Sequence, residues 1–308
     1  MEKIFDMVIV GGGPGGYTAA LYGARAGLSV VLLERAFPGG QMVSASQIDN
    51  YPGLPDGIDG ISLGDQMRKG AERFGARTVY ADVTGLELSA EPKVVRTEGG
   101  SFLGRTVVIA TGASPRGLGL EKEEALTGRG VSYCAACDGM FFRDKTVVVV
   151  GGGNSAVADA LTLSRVARKV ILVHRRDSLR ATKLYHAPLM EAPNVQILWN
   201  SQVEALLGQE KLHGVQVRDL ISGKVETVEC DGLFISIGRK PSTELVEGQL
   251  SLDDGGYIRA GEDTHTDLPG VFAVGDVRTT PVRQIVTAVA DGAVAAHEVE
   301  KYLAMVRG

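Results

Sequence analysis

Sliding the 308-residue chain by 140 positions without a gap lays MVIVGGGPGGYTAALYGARAGLSVVLLERA (7–36) over VVVVGGGNSAVADALTLSRVARKVILVHRR (147–176), and 11 of the 30 paired positions are identical. Both copies run from a short apolar stretch through a glycine-rich turn into a helical stretch, then into a second apolar stretch. That order is a βαβ unit, present twice. A chain of this length holds two domains at roughly 100–200 residues each. The repeat therefore predicts an α/β protein with two Rossmann-like dinucleotide-binding domains.

The first copy places Gly11, Gly13 and Gly16 in a G-x-G-x-x-G turn. The first glycine permits the tight turn, the second lets a pyrophosphate approach the backbone, and the third lets helix pack on strand. The helix N-terminus then offers free N–H groups and a positive dipole end to the phosphates. Such turns also occur without a ligand. Here a strand at Val8–Val10 precedes the turn, and Glu34 ends the next strand, where a carboxylate accepts hydrogen bonds from a ribose. The site suits an unphosphorylated ribose, such as that of FAD. In the second copy Gly151, Gly153 and Ala156 repeat the turn, but His174 stands where Glu34 does, followed by Arg175, Arg176 and, a little beyond, Arg180. Guanidinium groups bind a phosphate in bidentate fashion where a carboxylate would repel it. The second site is thus expected to prefer the 2′-phosphate of NADPH. The competing reading is a solvated charge run, which the strand-end placement disfavours.

Between the copies, TVVIATGAS (106–114) reads as a strand and TGASPRG as a linker. DGLFISIGRKPST (231–243) reads the same way, with a strand running into Gly238 and Pro241. GVFAVGDVRTTPVRQIVTAVADGAVAAHEVEKYL (270–303) reads as a strand, a Gly275–Asp276 turn and a long helix with Gly292 inside it. One arrangement accounts for this order: a discontinuous first domain over 1–114 and 244–308, with the second domain inserted over 115–243. Hinges are expected near Ala113–Arg116 and Lys240–Glu244.

A net charge of −5 and a pI near 5.6 argue against a general nucleic-acid binder. No stretch approaches 18 apolar residues, so no membrane span is expected. The N-terminal apolar run is too short for a secretory signal. Three cysteines cannot build a disulfide-stapled secreted scaffold, which makes a reducing cytoplasm the expected compartment.

Two of those cysteines lie in SYCAACDG (132–139). As a metal site the pair lacks partners, because zinc takes about four ligands and only Cys230 and five scattered histidines remain. No metal site is therefore expected. As a structural staple it closes a loop too short to remove much unfolded-state entropy. A redox pair is the remaining reading. Cys230 lies in VETVECDGLFISIG, inside an expected strand, and reads as a small buried apolar residue.

These stretches together, with GGQMVSASQIDNYPG, HRRDSLRA and PGVFAVGDV followed by RQIVTAVADG, resemble the low-molecular-weight, bacterial-type thioredoxin reductases from residue 7 to about 303. The CxxC followed by Asp-Gly is the most specific element. The family pair often has threonine or valine where this chain has Ala136. The resemblance implies a domain that binds FAD and an inserted domain that binds NADPH. It implies FAD contacts from Gly11, Gly13, Gly16, Glu34, Gly40, Gln41, Asn50, Asp276, Arg283, Gln284 and Ile285. It implies NADPH contacts from Gly151, Gly153, Asn154, Ser155, Arg175, Arg176 and Arg180. It further implies a homodimer, a thioredoxin or thioredoxin-like partner, and electron flow from NADPH through FAD to Cys134 and Cys137. In that scheme Cys137 faces flavin, Cys134 attacks the partner disulfide, and Asp138 handles the proton, with helix capping as the plain alternative for Asp138. A same-fold disulfide reductase fed by NADH or another donor, and a dithiol oxidase, are the alternatives.

Overall fold

The computed structural model describes residues 3–45 and 47–307. The chain divides into two compact units, Met1–Ser114 with Lys240–Gly308, and Pro115–Arg239. In chain order the first unit begins with strand β1 (Ile4–Val10), helix α1 (Pro14–Arg25), β2 (Val30–Glu34), α2 (Gly60–Glu72), β3 (Arg77–Tyr80), β4 (Val83–Glu87), β5 (Lys93–Thr97) and β6 (Gly100–Ile109). The connecting strand β7 (Ala113–Pro115) leads into the second unit. That unit contains α3 (Glu123–Leu126), β8 (Val131–Ser132), α4 (Ala135–Asp138), β9 (Thr146–Val150), α5 (Asn154–Ser164), β10 (Lys169–Val173), α6 (His186–Glu191) and β11 (Val195–Leu198). It continues through β12 (Ser201–Gly208), β13 (Leu212–Asp219), β14 (Val225–Glu229) and β15 (Gly232–Ile235). The chain returns through β16 (Arg239–Pro241) to β17 (Val271–Ala273) and α7 (Ile285–Arg307).

In the first unit β3, β2, β1 and β6 lie side by side in parallel, the arrangement two right-handed βαβ crossovers produce. The far edge of β6 is shared: its first half pairs antiparallel with β5, and Val107–Ile109 pairs parallel with β17. These strands are buried on both faces, so they read as continuous apolar runs rather than alternating ones. One face carries Ile9, Leu32 and Val108 against α1 and the α7 residues Ala295 and Val299. The other carries Val8, Leu33 and Ile109 with Val246 and Ile258.

The second unit repeats the plan. Strands β11, β10, β9, β15 and β8 form a parallel sheet, with Val147 and Leu172 facing α5 and Val148 and Val173 on the opposite face. A separate antiparallel sheet, β12–β13–β14, packs on that opposite face through Val203, Leu206 and Val215.

The return to the first unit comes at Lys240, four residues before the expected 244. Ser242 donates its N–H to the Gly112 carbonyl at 2.9 Å, and Thr243 Oγ1 donates to the Gly256 carbonyl at 3.0 Å. Both bonds hold 240–243 to the first unit. The two passages read as hinges contain β7 and β16, which pair as a two-stranded ribbon.

Candidate active site

In the second unit, β8 ends at Ser132 and the chain turns at once into α4. Cys134 is the residue before α4, and its Sγ accepts the Cys137 N–H at 3.2 Å. The two sulfurs form a disulfide across Cα atoms 5.3 Å apart, an ordinary span for such a bond. Cys137 is exposed and Cys134 half-buried. Asp138 ends α4 rather than capping it, and its side chain makes no cap bond to the following 3-10 turn at Gly139–Phe142. Instead its Oδ2 accepts a hydrogen bond from Ser132 Oγ at 2.6 Å. The same hydroxyl accepts the Cys134 N–H at 3.1 Å, so one buried serine ties the start of the redox turn to its end. Tyr133, between them, donates its phenolic proton to buried Glu123 at 2.6 Å. Ser132 was not among the expected site residues. Its signal is positional only, six residues before the aspartate.

Burial holds the Asp138 carboxyl above the ordinary carboxylate range, and the Ser132 hydrogen bond opposes that rise. A carboxyl raised in the folded state contributes its full stability below the unfolded value, near 3.9, and loses it as pH rises through the folded value. Asp138→Asn is neutral throughout and has no such loss. The unfolding midpoint of the variant relative to wild type is therefore expected to increase as pH is raised from acid to neutral. A difference that shrinks over that range would show that the ionised carboxylate is not destabilised in the fold.

In the first unit the glycine turn is built by close approaches. Gly11 has φ +106°, and a Cβ on Gly16 would lie 2.0 Å from the Gly11 carbonyl oxygen, so neither position takes a side chain. Gly13 precedes α1 with no side-chain cap, and the space where its Cβ would stand is open. Uncapped helix N–H groups beside an open approach are what a pyrophosphate requires, so the residues fit that group. Glu34 accepts the Gly12 N–H at 2.7 Å and the Ala36 N–H at 3.0 Å, so the expected ribose acceptor also holds the turn in shape. Gly40 and Gln41 open a 3-10 turn that lies on Gly13, where a Cβ on Gly40 would come 3.2 Å from the Gly13 Cα. Asn50 Nδ2 donates to Gln284 Oε1 at 3.1 Å, joining the two parts of this unit. Ile285 starts α7 and packs against the cluster of Met42, Ile48 and Leu63. Arg283 stacks on Tyr257 at 4.0 Å and donates Nε to the Asp276 carbonyl at 3.4 Å. Of the expected residues of the first domain, Gly11, Gly13, Gly16, Glu34 and Gly40 meet at this turn, while Asn50 pairs with Gln284 and Arg283 with Asp276.

The second glycine turn has the same construction. Gly151 has φ +147°, and Gly153 precedes α5 uncapped, with open space at its Cβ position. The loop carrying the arginines wraps onto this turn. Arg180 and Ala181 both donate N–H to the Gly152 carbonyl, at 2.7 and 3.1 Å, and Asn154 Oδ1 accepts the Thr182 N–H at 2.8 Å. The side chains of Arg175, Arg176, Arg180 and Ser155 are exposed. Three exposed cations beside an open turn fit a phosphorylated ribose. His174 plays a part that the sequence left out. Its buried ring lies flat against Gly152, where a Cβ would meet it at 2.2 Å, and Nε2 bonds to the Ser178 carbonyl at 3.0 Å. Burial lowers its proton affinity, and the nearby charges of Arg180, Arg176 and Arg175 lower it further. It fills the place that Glu34 fills in the first unit.

Cys230 lies between β14 and β15 rather than inside a strand, and burial pushes its thiol up to about 12. It is an inert core residue. Among the described residues, no helix is long and apolar enough to cross a membrane.

Residues 5–292 match the family described as pyridine nucleotide-disulphide oxidoreductase. The thioredoxin reductase of Streptomyces clavuligerus is 46% identical over 99% of this chain and 95% of its own length. That of Listeria monocytogenes is 45% identical over 98% and 95%. The crystal structure of thioredoxin reductase from Streptococcus pyogenes superposes with a TM-score of 0.92 at 43% identity, covering 99% of this chain and all of that one. With its two glycine turns and its Cys134–Cys137 disulfide, the chain belongs to the pyridine nucleotide-disulphide oxidoreductases, in their thioredoxin reductase branch.

Proposed function

We propose that this protein is an NADPH-dependent thioredoxin reductase, with FAD held in the first unit and NADPH in the second. The observation that carries the reading is the Cys134–Cys137 disulfide, followed directly by half-buried Asp138 with its carboxyl held by Ser132, in the unit whose glycine turn is followed by three arginines. Gly11, Gly13, Gly16 and Glu34 would hold the adenosine diphosphate half of FAD, with Gly40, Gln41, Asn50, Asp276, Arg283, Gln284 and Ile285 along its remainder. Gly151, Gly153, Asn154 and Ser155 would hold the NADPH pyrophosphate, and Arg175, Arg176 and Arg180 the 2′-phosphate. When bound, flavin would supply the two-electron relay between nicotinamide and disulfide.

The chain's own residues do the rest. Two electrons and two protons convert the Cys134–Cys137 disulfide to a dithiol. Cys134, as thiolate, attacks one sulfur of the partner disulfide, and the other partner sulfur leaves and takes a proton. The Cys137 thiolate then attacks Cys134 in the mixed disulfide, which reforms the Cys134–Cys137 bond and frees the partner as a dithiol. The backbone N–H of Cys137, aimed at Cys134 Sγ, stabilises a thiolate there. Asp138 supplies and recovers the proton at the departing sulfur, a role worth about 10²–10⁴ in rate.

The test is direct. The purified protein is expected to be yellow, and anaerobic NADPH should bleach it at concentrations where NADH does not. One thioredoxin disulfide should be reduced for each NADPH consumed. No bleaching by NADPH, or an equal response to NADH, would sink the cofactor assignment.

A further inference from the structure

Arg278 and Asp291 have no part in the scheme above, yet both are buried. Asp291, on α7, accepts the Gly275 N–H at 2.9 Å and Arg278 Nε at 2.7 Å through Oδ2, and Arg278 Nη2 at 2.6 Å through Oδ1. Arg278 Nη1 donates to the carbonyls of Thr279 at 2.9 Å and Gly261 at 3.2 Å. The Gly275 N–H stands one residue past the Val274 N–H bond to the Ile109 carbonyl, where the β6–β17 ladder ends. Asp291 gives that N–H the partner the sheet no longer supplies. The next residue, Gly292, packs on the Gly15 carbonyl, where a Cβ would come within 2.3 Å of the oxygen. Adjacent residues of α7 therefore hold two turns of the same site, Gly275–Asp276 through Asp291 and the start of α1 through Gly292.

A buried ion pair is a weak source of stability, since well-packed apolar residues of similar volume often serve as well. Packing alone gives no reason for this one. The bond to Gly275 does, because Asp276 follows directly.

We propose that Arg278 and Asp291 are positioning residues for the flavin: they fix the Gly275–Asp276 turn and thereby set how firmly FAD is retained. The proposal rests on the reading that the first unit binds FAD.

Two double variants of the full-length holoenzyme test it, Arg278→Met with Asp291→Asn, and Arg278→Met with Asp291→Leu. Both lose the ion pair, and they differ in whether residue 291 offers an oxygen to the Gly275 N–H. The readout is flavin fluorescence released on dilution, measured well below the unfolding transition of each protein. FAD should leave the leucine variant at least about tenfold faster than the asparagine variant, the factor a single hydrogen bond commands. Equal release rates from the two variants, whether both fast or both slow, overturn the proposal. If the leucine variant does not fold, Asp291→Ala replaces it under the same criterion. A wild-type protein that holds no FAD would sink the flavin reading itself, and that is known before any variant is made.

Discussion

Replacing Cys137 by serine will abolish turnover of a thioredoxin disulfide, by about 10⁴-fold or more as for other unit-like nucleophile machinery, and will leave a covalent adduct behind. The adduct follows from the division of roles. Cys134 retains its thiol and, in the native fold, its hydrogen bond from the backbone N–H of residue 137, which serine also provides. Its thiolate attacks the partner disulfide as before. The thiol released on the partner can reverse that attack, so the trap uses a partner whose single redox cysteine is carried as a disulfide to a small leaving thiol; with no resolving thiol on either protein, the complex accumulates at the summed mass of the two chains. Cys134→Ser will be equally inactive and will form no adduct with the same activated partner, because the remaining thiol is the resolving one. Mass spectrometry under non-reducing conditions distinguishes the two. Adduct formation by Cys134→Ser and not by Cys137→Ser would reverse the assignment, and the greater exposure of Cys137 gives that outcome a physical route. Flavin content of both variants should match wild type, since neither cysteine belongs to the first unit.

The repeat was legible because each glycine turn carries its own local grammar. Val8–Val10 and Val148–Val150 are apolar runs, and each ends where a glycine with positive φ turns the chain into an uncapped helix. Nothing beyond a dozen neighbouring residues is needed to read that. What stayed hidden depends on partners far along the chain. The antiparallel pairs β4–β5 and β12–β13 have register shifts that break the alternation a reader would look for. The three-residue strands β7 and β16 are too short to show any period, so a paired ribbon read as linker. His174 was seen to stand at the position of Glu34, but its flat packing on Gly152 appears only when the strand end and the turn meet. Ser132 and the Arg278–Asp291 pair were missed for the same reason. A serine, an arginine or an aspartate announces nothing until its partner arrives in space.

The arginine loop sets the other large expectation. Arg175, Arg176 and Arg180 carry three positive charges within six residues, and the backbone of Arg180 is tied to Gly152, so they stand beside the turn that would hold the pyrophosphate. NADPH differs from NADH by one 2′-phosphate. Removing Arg175 and Arg176 together, as alanines, should therefore lower kcat/KM for NADPH and leave that for NADH within about twofold. Each charge-assisted bond to phosphate contributes about 1.5–3 kcal/mol in a protected site. These side chains are exposed, and solvent screening takes the pair toward the low end, near 3 kcal/mol together or roughly 10²-fold. The loss should fall on KM with kcat unchanged, because the contact is the same in ground and transition states. Ionic strength supplies an independent check. The wild-type KM for NADPH should rise with added salt as the phosphate–guanidinium attraction is screened, and the alanine variant should lose most of that dependence. His174 keeps the loop in place in both proteins, so the variant should unfold at the wild-type temperature. A parallel fall for NADPH and NADH would show that the arginines shape the turn rather than read the phosphate, and the second site would then have no basis for preferring NADPH.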